Sequence, residues 1–195
     1  MASVTRSLHS GRFALFAECL LTGVWIALAA LPLVTALPAF AAGAAHLERH
    51  LAGDRSRLRD YLADLRAATR TGWRLSALWC AALALLGWDL YVASSGALPG
   101  APLWALTGLA AAFVLLVGGV RAAARYRPAD DPEPGGDWRA CALAGVRQTL
   151  LTDRPGALLV AAGWVVVAAS AWMLPPLAAP ALGALTACAV AIRDR

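Results

Sequence analysis

The sequence predicts an all-α fold: a polytopic helical membrane protein of about six transmembrane helices in three hairpins, with amphipathic cytoplasmic helices between them. Three observations carry this. Of 195 residues, 60% are hydrophobic and 15% charged, whereas soluble domains average about 45–50% and about 25%. Segments 101–120, 155–174 and 175–192 contain no charged residue, and about 20 apolar residues rising 1.5 Å each cross a hydrocarbon core of about 30 Å. Finally, the arginines cluster in alternate connections, and proline-rich tips occupy the others.

Along the chain, residues 13–31 form the first apolar segment, with Glu18 near its start. The break after it reads LPLVTALP. Thr35 is expected to cap the returning helix by accepting a hydrogen bond from an N–H two or three residues on, with Pro38 tolerated in the first turn. Residues 36–51 then read as an Ala-rich helix charged only at Glu48 and Arg49, at roughly 24 Å a little short of a span. Residues 54–70 place Leu58, Tyr61, Leu62 and Leu65 on one face among arginines, an amphipathic helix. A second hairpin covers 75–120, with Asp89 near the end of its first arm. PADDPEPGG at 128–136 is an acidic Pro/Gly linker. Residues 137–150 repeat the amphipathic pattern more weakly through Trp138, Cys141, Ala142 and Val146, and hairpin 155–192 closes a single membrane domain. The shared order of polar helix and span hints at duplication.

Topology follows from arginine. All 17 basic residues are arginine and only one glutamine occurs, which reads as the bias of a GC-rich genome. The net charge of +5 is explained by positive-inside loops rather than by nucleic acid. If 36–51 crosses, every arginine cluster and both termini are cytoplasmic. Five spans, the alternative, leave Arg6 and Arg12 outside. Ala39-Phe40-Ala41 imitates a signal-peptidase site, but the apolar run before it exceeds the usual 7–15 residues, so the segment is expected to be retained.

Little in the sequence carries chemistry. There is no P-loop and no H-E-x-x-H, and no catalytic or cofactor-binding residue is assigned. Cys19, Cys80, Cys141 and Cys188 form no C-x-x-C pair and read as buried small residues. His46 and His50 share a helical face but lack a third ligand, so no metal is expected. Gly96 and Gly100 match G-x-x-x-G only within a loop containing Pro99. Glu18 and Asp89 are the intramembrane acids, candidates for a role because a charge in hydrocarbon costs about 3 kcal/mol. Arg55, Arg57, Arg59, Arg66 and Arg70 face either anionic lipid headgroups or a cytoplasmic partner. Eight tryptophans lie mostly near span ends, in the headgroup zone.

The run from Trp25 to Ala39, WIALAALPLVTALPA, resembles the "L-W…L-P-V-V-T-x-x-P-A" signature of the YesL family of bacterial multi-pass membrane proteins, a domain of unknown function. Trp25, Pro32, Thr35 and Pro38 carry the likeness, which extends over roughly residues 15–80 through the Arg-rich helix, where Tyr61 and Leu62 stand at positions usually aromatic. The resemblance implies an association with carbohydrate uptake, because family members are often encoded beside sugar ABC transporters and polysaccharide-degrading enzymes. It carries over no catalytic residue. The expectation is a non-enzymatic accessory component of oligosaccharide ABC-type uptake, with transporter subunits and the bilayer as partners. The alternative is a stand-alone small-solute transporter or channel.

Overall fold

The computed structural model describes residues 2–54, 57–95, 100–127 and 137–193, with side chains from residue 16 onward. Arg55, the linker at 128–136 and most of the 95–100 tip lie outside the described residues. All regular structure among the described residues is helical: α1 (Ala2–Ala30), α2 (Ala36–Leu51), α3 (Leu58–Ser94), α4 (Ala101–Arg125), α5 (Trp138–Arg147), α6 (Arg154–Met173) and α7 (Pro175–Ala191). Three of these, α3, α4 and α6, are long and apolar enough to cross a membrane, as expected of an α-helical membrane protein. Consecutive pairs α1–α2, α3–α4 and α6–α7 pack together, giving three hairpins.

One boundary expectation is corrected. The amphipathic helix at 54–70 and the span at 75–93 are one helix, α3, of 37 residues. Nothing between them breaks it. No proline intervenes, the Thr71 hydroxyl folds back on the helix carbonyls of Ala67 and Ala68, and one glycine costs a helix only about 1 kcal/mol. Gly72 has a packing reason. A Cβ there would lie 2.4 Å from the indole of Trp138. The second polar helix differs. α5 ends in a π-helical turn, Gln148–Thr152, and α6 restarts under its own cap, the Asp153 carboxylate accepting from the Gly156 N–H at 2.9 Å. The two polar helices are therefore joined to their spans in different ways.

The centre of the molecule is α2. Eleven of its sixteen residues are buried, and it packs against α1, α3, α4 and α7. Its small side chains allow that close approach, the usual basis of helix association in membranes. A Cβ on Gly43 would meet Ile26 of α1 at 2.5 Å. α1 and α7 cross just as closely. A Cβ on Gly23 would lie 2.1 Å from the Ala179 carbonyl oxygen, and one on Gly183 would lie 1.9 Å from that of Cys19.

The hairpins differ in reach. The turn between α1 and α2 rests against Ser76 and Cys80, whose side chains bond to the Leu33 carbonyl. Ser76 is two residues beyond Arg74, the last arginine of α3. From Ser76 the helix runs on to Ser94, 18 further residues or about 27 Å. On α4, Gly119 lies against Trp79, and a similar length separates it from the far end at Ala101. The α3–α4 hairpin thus extends well past the α1–α2 turn.

Glycine substitutions test this packing. Gly23→Ala is expected to lower the melting temperature in detergent markedly, because backbone must move to admit the methyl. Gly87→Ala has nothing within 4 Å, and is expected to be neutral or to stabilise by up to about 1 kcal/mol through helix propensity. Equal melting of the two variants would contradict the α1–α7 crossing.

Candidate functional site

The residues singled out in the first hairpin meet at two places. The first is the turn. Pro32 ends α1, Leu33 adopts a left-handed conformation (φ 57°), and α2 starts at Ala36. A branched L-residue in this region costs roughly 1–2 kcal/mol. The Leu33 carbonyl offsets that strain, accepting from the Ala36 N–H at 3.0 Å, the Cys80 thiol at 3.2 Å and the Ser76 hydroxyl at 3.4 Å.

Thr35 does not cap α2 with its side chain, and this corrects the sequence expectation. Its hydroxyl instead donates backward to the Ala29 carbonyl at the end of α1. The cap comes from another helix: the Leu37 N–H donates to Ser76 Oγ at 3.2 Å. Pro38 has no N–H to satisfy, and the Ala39 N–H reaches the Thr35 carbonyl at 2.8 Å. All donors of the first turn are met. No local sequence rule could have identified Ser76, 39 residues away.

The second place lies nearer the other end of the hairpin. His46, fully buried, sets Nε2 2.7 Å from Glu18 Oε1. Trp25 packs edge-on to the imidazole, centroids 4.9 Å apart, and tilts over Tyr61 of α3 at 5.4 Å. The signature tryptophan therefore covers an acid–imidazole pair. One signal was available: Glu18 stands fifteen residues before Leu33 and His46 thirteen after it, and the arms of a hairpin bring equidistant residues together. Asp89, the other acid, is exposed and makes no hydrogen bond or ion pair among the described residues. It lines a separate hollow with Trp88, Trp104 and Thr107. The two acids do not meet.

The arginines divide into two sets. Arg57, Arg59, Arg66 and Arg70 point outward from α3 without a carboxylate partner among the described residues. The backbone N–H of Arg57 starts the helix by donating to the Asp60 carboxylate at 2.7 Å. Others turn inward, a role not read from the sequence. Arg121, 3% exposed, pairs with Asp153 at 2.8 Å. Arg125 donates to the Gln148 side chain at 2.8 Å. Arg127 and Arg193 both clasp Glu48, and Arg49 pairs with Asp64. The π-helical turn contributes here: it opens the backbone between Gln148 and Asp153, two side chains that meet α4 arginines.

Other expectations are partly revised. Trp25, Trp79, Trp138 and Trp164 are packing struts rather than headgroup anchors. The Trp79 and Trp164 indole N–H groups donate to the Leu115 and Leu116 carbonyls of α4 at 2.8 and 3.2 Å, and Trp138 stacks on Tyr126 at 4.2 Å. Cys141 is buried, which pushes its thiol pKa up, with the Asp137 charge adding to the effect. Cys188, expected to be buried, is exposed on α7. Among the described residues no cluster of three or more His, Cys, Asp or Glu gathers around a common point.

No protein-family profile, curated protein or solved structure matches the chain.

Two predictions separate the hydroxyls at the turn. Ser76→Ala strands a buried N–H and is expected to cost about 1–3 kcal/mol, read as a lower melting temperature in detergent. Thr35→Val, losing only a donor to a carbonyl at a helix end, is expected to cost about 1 kcal/mol, and Thr35→Ser little. A Ser76→Ala variant as stable as wild type would contradict the inter-helix cap. At the second place, Glu18→Ala removes the partner of a buried imidazole and is expected to cost about 1–3 kcal/mol. Asp89→Ala, measured beside it, should change stability by less than about 0.5 kcal/mol.

Proposed function

We propose that this chain is a non-enzymatic accessory component of carbohydrate (oligosaccharide) ABC-type uptake, held in the bacterial plasma membrane with both termini cytoplasmic. The YesL likeness supplies the uptake system. The observation that carries the reading is the form of α3: Arg57, Arg59, Arg66 and Arg70 stand outward and unpaired on a helix continuous with an apolar span. A basic surface fixed rigidly to a membrane segment suits docking against an acidic cytoplasmic face of another membrane complex, where charge complementarity sets partner and register.

For topology we propose four crossings, α3, α4, α6 and α7, with α1–α2 entering from the cytoplasmic side and returning. This takes the place of six spans. Its support is the short reach of the α1–α2 turn, which rests against Ser76 near the start of the apolar part of α3. The arginine pattern is indifferent, since α1–α2 returns to its own side in either arrangement. Non-helical backbone at that depth is tolerated where protein satisfies it, as Ser76 does here.

The test is recovery from detergent-solubilised membranes grown on an inducing oligosaccharide. Tagged wild-type protein is expected to bring down permease or ATPase subunits of a sugar importer. Reversing Arg57, Arg59, Arg66 and Arg70 to glutamate should reduce that recovery at least about tenfold, equivalent to about 1.4 kcal/mol. Recovery of no importer subunit with the wild type, or solute flux by the purified protein alone in liposomes, would overturn the reading.

A further inference from the structure

We propose that the trough between α3, α4 and α5 is a binding site for one anionic phospholipid of the cytoplasmic leaflet, with its headgroup at Arg74 and Arg139 and an acyl chain along the trough. The inference rests on α3 crossing the membrane with its arginine-bearing end inside. It does not depend on the uptake partner.

The trough has a volume of about 330 Å³, and its walls are apolar, among them Leu78, Trp79 and Ala82 of α3, Leu115 and Gly119 of α4, and Ala142 of α5. The Trp79 indole N–H donates to the Leu115 carbonyl at 2.8 Å. Two adjacent glycines of α4 let the walls of the trough approach that helix closely. A Cβ on Gly119 would meet Trp79 at 2.5 Å, and one on Gly118 would meet Val146 at 3.1 Å. At its cytoplasmic end the trough borders a second hollow of about 320 Å³, with which it shares Leu75 and Leu78. Thr71, Arg74, Asp137, Trp138 and Arg139 complete that hollow.

Most polar groups of the second hollow are already engaged. Thr71 joins Tyr126 and the Trp138 indole at 3.0 and 3.1 Å. Asp137 caps α5 by accepting from the Arg139 N–H at 3.0 Å. The guanidinium groups of Arg74 and Arg139 have no carboxylate partner among the described residues. Arg74 lies over the Trp73 ring, 5.4 Å from its centroid, at the end of the arginine-bearing stretch. From Arg74 to Ala82 the helix climbs about 12 Å, so cations at one end and an apolar channel above them match a phospholipid in both charge and direction. A phosphodiester accepts from both arginines, which bind phosphate strongly, and the basic end sits on the side where anionic lipid attracts such residues. A second copy of the chain would need an apolar ridge ending in an acid to fit both hollows, whereas one lipid supplies both.

The test is native mass spectrometry of the full-length protein from mixed micelles containing equal phosphatidylglycerol and phosphatidylcholine. Wild type is expected to retain one phosphatidylglycerol per chain in preference to phosphatidylcholine. Arg74→Gln with Arg139→Gln should lower that retention at least tenfold. Ala82→Phe, which fills the channel and leaves both charges, should lower it too. Arg57→Gln with Arg59→Gln removes the same charge about 22–25 Å away from Arg74 along the first helical stretch of α3 and should leave retention unchanged. Each variant is first shown to elute as wild type does in size exclusion. The proposal is overturned by equal retention of the two lipids, by equal loss in the Arg57/Arg59 variant, by undiminished retention in the Arg74/Arg139 variant, or by a lipid-free dimer that Ala82→Phe dissociates.

Discussion

The first turn of α2 presents backbone N–H groups inside a helical bundle, where no water competes to satisfy them and an unmet group costs several kcal/mol. Ser76 of α3 meets the Leu37 N–H, and its neighbour Cys80 helps to hold the strained Leu33 carbonyl. That bond fixes α2 against α3 in depth. Once α2 is placed, α1 must follow through the short turn, and α7 closes against α1 at Gly23 and Gly183. The depth of one hydroxyl thus sets how far the first hairpin enters the bundle.

The opposite end of α2 is held by charge. Glu48 receives Arg127 from the end of α4 and Arg193 from the end of α7, while Arg49 reaches Asp64 on α3. Arg121 and Asp153 join α4 to α6 with little exposure. Buried ion pairs are not inherently stabilising, because desolvation opposes their attraction, but losing one partner leaves a buried charge uncompensated. Their effect here is to fix which helix ends meet. Among the described residues, the arginines not consumed in these pairs or by Gln148 remain exposed on α3, α5 and the start of α6. A charge pattern that looks uniform in sequence therefore separates into an inner clamp and an outer surface.

What the sequence made legible was local. The bounds of α2, the start of α4 at Ala101, the Asp137 start of α5 and the division at Pro175 all follow from apolar runs, caps and prolines acting within a few residues. The structure departs where the decisive partner is distant. The polarity change at Arg74 suggests two helices, yet polarity governs environment and not helix continuity, and α3 is one helix. Thr35 stands at the cap position, but Ser76 reaches the amide from another helix. Glu18 has no partner nearby in sequence, because His46 lies across a turn. Trp79 and Trp164 act as struts and not as headgroup anchors because α4, rich in glycine and alanine, lets their indole N–H groups reach its Leu115 and Leu116 carbonyls.

The central claim is that the α1–α2 turn stops beside Ser76 and does not reach the outer face. It is tested most directly by thiol labelling with a membrane-impermeant maleimide added outside cells, in a background with the four native cysteines replaced by alanine. Ser95→Cys, at the end of α3, should be labelled readily. Leu33→Cys should remain unlabelled from outside, although the Leu33 side chain is 65% exposed on the protein. Labelling of Leu33→Cys at the rate of Ser95→Cys would place the turn at the outer surface and contradict the account.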